Sequence, residues 1–260
     1  MPAREPGPVV LLCGDGASGR IVWRALRREL PDVRVIVEAA PSRLRLLWRR
    51  ARRVGALAAL GQALFVALAV PLLRRAGARR IAGIRAEHGL DDSPFDDAVS
   101  RVPSVNAKAT RERLRELRPA VVVVNGTRII GRATLRAVDA PFVNMHAGIT
   151  PTYRGVHGAY WALCDRRPDL VGTTVHLVDE GIDTGGVIEQ ATFAVSAADS
   201  FATYPYLHTA AGLPALVRAV RAALDGTLAT RPAGRELPSR LHHHPTLWGY
   251  LERRVRLGIR

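Results

Sequence analysis

Strands alternating with helices along 260 residues predict an α/β protein built on a doubly wound, mostly parallel sheet. Three features carry that expectation. Continuous apolar runs, residues 120–124 foremost, suit strands buried on both faces of a parallel sheet. A glycine turn follows the first such run and opens a helical pattern. Helical patterns then stop at breakers, 110–117 before Pro119 and 206–224 before Asp225-Gly226.

The elements follow in order. Residues 9–13 form the first strand, then come the glycines 14, 16 and 19 and a helix over 20–30. Residues 33–37 are rich in β-branched side chains and read as a second strand, with 102–105 as a short third. After the helix 110–117 and the strand 120–124, Phe142–His146 reads as the next strand and Gly158–Cys164 as a helix. Residues 173–178 alternate as a strand, 187–195 as another, and the helix 206–224 closes the pattern. No internal repeat interrupts it.

Composition is that of a globular protein, 48% hydrophobic and 23% charged. The net charge of +15 resembles a nucleic-acid signature until it is mapped. Residues 43–85 hold eleven Arg and no acid, and 231–260 carry a further +5. The remainder is close to neutral, so the charge says nothing about a central pocket, and no nucleic-acid partner is expected. Cys13 and Cys164 fall in no metal-ligand or redox spacing. With a polar, Pro-rich start instead of a signal sequence, the expectation is a reduced, cytoplasmic setting, peripheral to a membrane if residues 43–85 dock there.

Residues 43–85 break the α/β rhythm. Positions 54–73 carry no charge, with Arg49, Arg50, Arg52 and Arg53 before them and Arg74, Arg75, Arg79 and Arg80 after them. The length permits a membrane span, but a span would place halves of one sheet on opposite sides of a bilayer. A buried or dimer-forming helix is the plainer reading. An interfacial hairpin whose arginines meet anionic lipid headgroups is the third.

Two motifs carry chemistry. Gly14-x-Gly16-x-x-Gly19, with Glu38 nineteen residues on, has the spacing of a dinucleotide fingerprint. A glycine turn at a helix start presents backbone N–H groups to any phosphate, so Gly14, Asp15, Gly16, Ala17 and Ser18 are equally a substrate-phosphate site or a structural turn. The second motif is Asn144-Met145-His146, followed 37 positions after His146 by Asp183 in Asp-Glu-Gly-Ile-Asp-Thr-Gly. Strand alternation puts Asn144 and His146 on one face. An amide, an imidazole and a carboxylate over one carbonyl are equipment for acyl transfer.

Together with Thr150-Pro151-x-Tyr153-Arg154-Gly155 and Gly172-Thr173-Thr174-Val175-His176, these blocks resemble the core of the folate-dependent formyltransferases. The resemblance covers about 9–38 and 101–195, and it implies a Rossmann-like sheet of the formyltransferase type carrying a helical Arg-rich insertion. It implies that Asn144, His146 and Asp183 are catalytic, with 10-formyltetrahydrofolate as co-substrate. Val178, Asp179, Glu180, Gly181 and Ile182 fall where the pterin is held. Asn125, Gly126, Thr127, Arg128, Ile129 and Ile130 fall on the other wall of that folate pocket. Asp183 is expected to orient His146 and raise its pKa.

The family's usual Ser-Leu-Leu-Pro is replaced here by Gly148-Ile149-Thr150-Pro151, and the small purine enzymes lack the 43–85 insertion. The organisation expected is a catalytic domain over 1–228 and a basic tail over 229–260, too short for the extra barrel of the tRNA enzyme. The expected reaction is formyl transfer to a primary amine of a small molecule, an amino sugar linked to nucleotide or lipid. A formyl-folate hydrolase needs the same triad, and a nicotinamide-dependent oxidoreductase would use the glycine fingerprint with Glu38. A non-catalytic membrane-bound module is the reading if the insertion dominates. Tyr153 and Arg154 either grip an anionic substrate or pin their loop. His176 reads as a packed histidine or one that supports the catalytic residues from behind, Tyr160 and Trp161 as core, His242-His243-His244 as no metal site, and Asp91, Asp92, Asp96 and Asp97 as a solvated loop.

Overall fold

The computed structural model describes residues 7–95, 99–231 and 238–260, the side chains at 43–47 and 49 excepted. Its elements are β1 (Val9–Gly14), α1 (Ala17–Glu29), β2 (Val33–Glu38), α2 (Arg43–Val54), α3 (Ala56–Leu64), α4 (Val70–Ala76) and α5 (Ala78–Glu87). Next come β3 (Val99–Val102), α6 (Lys108–Leu117), β4 (Val121–Asn125), α7 (Arg132–Leu135), β5 (Phe142–His146), β6 (Tyr153–Gly155) and α8 (Gly158–Cys164). The chain continues through β7 (Gly172–Leu177), β8 (Val187–Thr192), α9 (Tyr204–Leu224), β9 (Arg240–His242) and α10 (Leu247–Leu257).

Seven strands form one sheet in the order β3-β2-β1-β4-β5-β7-β8. The first five are mutually parallel and β7 runs antiparallel to both its neighbours, β5 and β8, which makes the sheet mixed at one edge. Alternation along β1 explains why its sequence is apolar throughout. Val9, Leu11 and Cys13 pack with α1 and α9 on one face, while Val10 and Leu12 pack with Leu114 of α6 on the other. Burying one such Leu or Val is worth about 1.5–3 kcal/mol, so both layers hold the sheet.

Two boundaries differ from expectation for local reasons. The third strand lies at Val99–Val102, not 102–105, because Pro103 has no N–H to give to a ladder. The first helix starts at Ala17 instead of 20, so Gly19 lies inside it, where a Cβ would sit 2.7 Å from the Gly14 carbonyl oxygen. That glycine serves close packing of helix on strand. Asp91 is not simply solvated, since it lies 3.8 Å from Arg24 and 3.6 Å from Arg28, and Asp92 pairs with Arg85. Asp96 and Asp97 fall outside the described residues.

The insertion is helical. Gly55, at φ 87°, turns α2 into α3, and α3 runs through a π-helical turn over Phe65–Ala69 into α4. Phe65 is fully buried between Phe201, 4.8 Å away, and Tyr250, 5.0 Å away. The end of the chain also folds back onto the body. β9 pairs with β6, Tyr153 opposite Arg240 and Gly155 opposite His242, and α10 packs on α3.

Candidate active site

Strand order reverses direction between β1 and β4, and the carboxyl ends of the strands around that switch open a crevice. There lies a cavity of about 680 Å³. Asn144 and His146 reach it from β5, and Asp183 from the loop joining β7 to β8. Asp183 adopts φ 53°, a left-handed conformation that Asp tolerates better than most residues. Its Oδ2 accepts the Gly155 N–H at 2.9 Å and lies 3.3 Å from His146 Nδ1, while Oδ1 lies 3.5 Å from Asn144 Nδ2.

His146 is buried, with Nε2 2.7 Å from the Tyr153 carbonyl oxygen. Both ring nitrogens therefore face oxygen acceptors, a geometry that an imidazolium satisfies and a neutral ring does not. Burial opposes that charge and keeps the His146 pKa below the ordinary histidine value, although Asp183 and the Tyr153 carbonyl pull upward. Asp183 thus raises the His146 pKa as expected, and desolvation outweighs it. Burial also raises the Asp183 pKa, but the hydrogen bond from His176, the His146 charge and the Gly155 N–H together hold it below the usual carboxylate value.

His176 supports the candidate catalytic residues from behind. Its Nδ1 lies 2.7 Å from the Leu177 carbonyl oxygen and its Nε2 lies 3.1 Å from Asn144 Nδ2. The same Nε2 edge lies 3.6 Å from Asp183. Asn144, His146, His176 and Asp183 thus form one connected polar group beneath the cavity.

Asn125, Gly126, Thr127, Arg128, Ile129 and Ile130 all line the cavity, as do Val178, Asp179, Gly181 and Ile182 across from them. Glu180 turns away and pairs with Arg132 at 2.9 Å. The glycine loop contributes less than expected. Ser18 reaches the cavity wall and donates to Asn125 Oδ1 at 2.8 Å, but Gly14, Asp15, Gly16 and Ala17 stand outside it, and Asp15 pairs with Arg101. Glu38 is committed elsewhere: buried, it accepts the Arg128 backbone N–H at 2.6 Å, the Arg128 guanidinium at 2.8 Å and the Val105 N–H at 3.1 Å. Glu38 is thereby unavailable to a ribose hydroxyl, so the dinucleotide reading loses its acidic residue.

Tyr153 and Arg154 do not line the cavity. Tyr153 is buried with its hydroxyl 3.3 Å from Asp165, and Arg154 donates to the Ile182 carbonyl oxygen at 3.1 Å, so both pin loops. Two other segments supply the missing wall: Arg50, Arg53, Val54 and Gln62 from the insertion, and Leu241, His242, His243 and His244 from the chain's end. Their signals in the sequence were the arginine cluster and the histidine triplet. The three histidines diverge. His242 stacks on Trp161, with centroids 5.1 Å apart, the His243 carbonyl oxygen accepts the Trp161 indole N–H, and His244 Nδ1 lies 2.9 Å from His157 Nε2. Burial lowers the His244 pKa to about 4, and the neighbouring Arg50 charge adds to it.

A family model described as Formyl transferase matches residues 87–220, more than half of the chain. The chain belongs to the formyl transferase family. Among relatives, it is 34% identical over 116 residues to a methionyl-tRNA formyltransferase of Anaeromyxobacter dehalogenans, covering 44% of this chain and 37% of that one. The match thus spans about two-fifths of that relative's length. Among solved structures, glycinamide ribonucleotide transformylase 1 of Symbiobacterium toebii superposes with a TM-score of 0.57 at 21% identity, covering 92% of this chain and 96% of that one. An N-formyltransferase of Helicobacter canadensis, solved with folinic acid and dTDP-3-aminofucose, gives 0.53 at 15% identity, covering 90% and 70%. At these identities the structural likeness concerns the fold.

Proposed function

We propose that this chain transfers a formyl group from 10-formyltetrahydrofolate to the primary amine of a small anionic molecule, an amino sugar linked to a nucleotide or lipid. The observation that carries this reading is the convergence of Asn144, His146 and Asp183 on one cavity. The cavity's two facing walls, 125–130 and 178–182, fit a flat ring between a partly apolar surface, including the exposed Ile129, and backbone polar groups. The folinic acid bound by the Helicobacter neighbour supports a reduced folate there.

In the reaction, the amine nitrogen bonds to the formyl carbon, the bond from that carbon to the folate nitrogen breaks, and one proton passes from amine to folate nitrogen. Asn144 turns one N–H from its long 3.5 Å contact with Asp183 toward the oxyanion formed on the way. Such a donor is worth about 10²–10³ in rate. His146 donates its Nδ1–H toward Asp183 and holds that carboxylate in place. Asp183, kept ionised, accepts the amine proton. Arg50 and Arg53 supply the positive wall that an anionic acceptor needs.

The test is incubation with 10-formyltetrahydrofolate and a panel of amino-sugar nucleotides, with mass detection of the N-formyl product. Product that forms with wild type and fails with Asp183→Asn supports the reading. Release of formate at the same rate with and without every amine overturns it.

A further inference from the structure

The outer face of the insertion is apolar where a water-facing helix would be charged. The continuous helix Ala56–Ala76 is 21 residues long, and by length and composition alone it could cross a membrane. Its packing excludes that course. Ala59, Gly61, Gln62, Phe65 and Ala69 are buried against the body, and a Cβ on Gly61 would fall on the Trp248 ring. A helix clamped along one side can still lie flat in an interface with its other side inserted.

That other side fits the role. Leu57, Leu60, Leu68 and Leu72 are 71%, 55%, 53% and 67% exposed, in a run with no charge between Arg53 and Arg74. Contiguous exposed apolar residues on this scale mark an interaction surface. Trp48, 61% exposed on the preceding helix, carries the Arg52 guanidinium 4.7 Å over its ring, the pairing of an amphipathic ring with a cation found at headgroup level.

Charge selects the occupant. The insertion has eleven arginines and no acid; Arg50 and Arg53 face the cavity and Arg80 and Arg85 pair with Asp199 and Asp92, while Arg52, Arg74, Arg75 and Arg79 flank the apolar stretch. A second copy packed about a twofold axis would bring one positive end against another in either direction. An anionic bilayer offers hydrocarbon for the leucines and phosphates for both clusters.

We infer that the Ala56–Ala76 helix docks this protein on anionic lipid bilayers, with the leucine face in the acyl boundary and the flanking arginines on headgroups. The inference is independent of the formyl-transfer reading. It does place the cavity beside the membrane, because Arg50, Arg53, Val54 and Gln62 line that cavity from the same segment.

The test is flotation with phosphatidylcholine vesicles, with and without phosphatidylglycerol. Wild type is expected to float at least tenfold more with the anionic vesicles, with Trp48 emission shifting to the blue. Replacing Leu57, Leu60, Leu68 and Leu72 together by Gln should remove at least tenfold of that recovery while the far-ultraviolet circular dichroism stays unchanged. If that variant loses its fold, the pair Arg74→Gln and Arg75→Gln is read instead, and it should weaken anionic binding several-fold. Asp183→Asn should float like wild type, which separates docking from catalysis. The inference is overturned by wild type staying with the soluble fraction, or by flotation indifferent to the leucines. A dimer in analytical ultracentrifugation that the leucine substitutions dissociate, with no vesicle binding, would assign the face to a second copy instead.

Discussion

Glu38 holds Arg128 twice, through the backbone N–H at 2.6 Å and through the guanidinium at 2.8 Å. The carboxylate is buried and also receives the Val105 N–H, so it ties the end of β2 to the loop lining one wall of the cavity. Replacing Glu38 by Ala would leave the Arg128 and Val105 backbone N–H groups without their acceptor, while the partly exposed Arg128 guanidinium keeps the Pro103 and Ala39 carbonyl oxygens. The expected loss of stability is about 1–3 kcal/mol. Chemical denaturation measures it, and a loss below about 1 kcal/mol would show that the pair is not structural.

Asp183→Asn should preserve the fold, since Asn suits the left-handed backbone at this position and its carbonyl oxygen can still accept the Gly155 N–H. The variant cannot take the amine proton. Turnover should fall at least ~10²-fold, while binding of a reduced-folate analogue stays within a few-fold. Comparing kcat with the analogue's Kd in the same preparation checks this. Near-normal kcat would remove Asp183 from the chemistry.

Gly148→Ala tests the positioning of His146. A Cβ at 148 would fall on the Tyr153 carbonyl oxygen and lie 2.8 Å from His146 Nε2, the two partners of one hydrogen bond. Separating them should cost about 1–3 kcal/mol of stability. kcat should drop more than KM changes, because the ring moves and the cavity walls at 125–130 and 178–182 do not. A variant with wild-type kcat would show that the Tyr153 contact is dispensable.

His208, on α9, is buried and held as a neutral ring. It accepts the Ala159 N–H at 3.3 Å and contacts Thr173 Oγ1 at 3.0 Å. Burial, helped by the His146 charge, lowers its pKa to about 3 from 6.5. The unfolded chain therefore takes up the proton first as pH falls. Stability contributed by this site is complete above about pH 6.5 and declines toward pH 3, by roughly 2 kcal/mol at pH 5. His208→Gln should shrink the difference in unfolding free energy between pH 7 and pH 5 by about that amount. An unchanged difference would refute the assignment.

Much of this architecture was legible in the residues. Phe142–His146 and Gly158–Cys164 fall where the pattern placed them, because a run buried on both faces has few other uses. Asn144 and His146 share the cavity because strand alternation leaves no choice. The reading failed where long-range packing decides. Spacing could not show that His242 would lie opposite Gly155, or that Arg50 and Arg53 would join the cavity from an insertion that looked peripheral. Nor could it show that Glu38 was already spent on Arg128, since a carboxylate ending a strand reads the same whether it binds ribose or its own chain. The misplaced third strand was readable in principle, from Pro103.

The pairing of β6 with β9 joins residue 153 to residue 240. A chain leaving the ribosome can assemble its whole sheet and orient its reactive groups before the last enclosing segment has been translated. Until β9 pairs, the cavity lacks the wall that Leu241, His242, His243 and His244 supply.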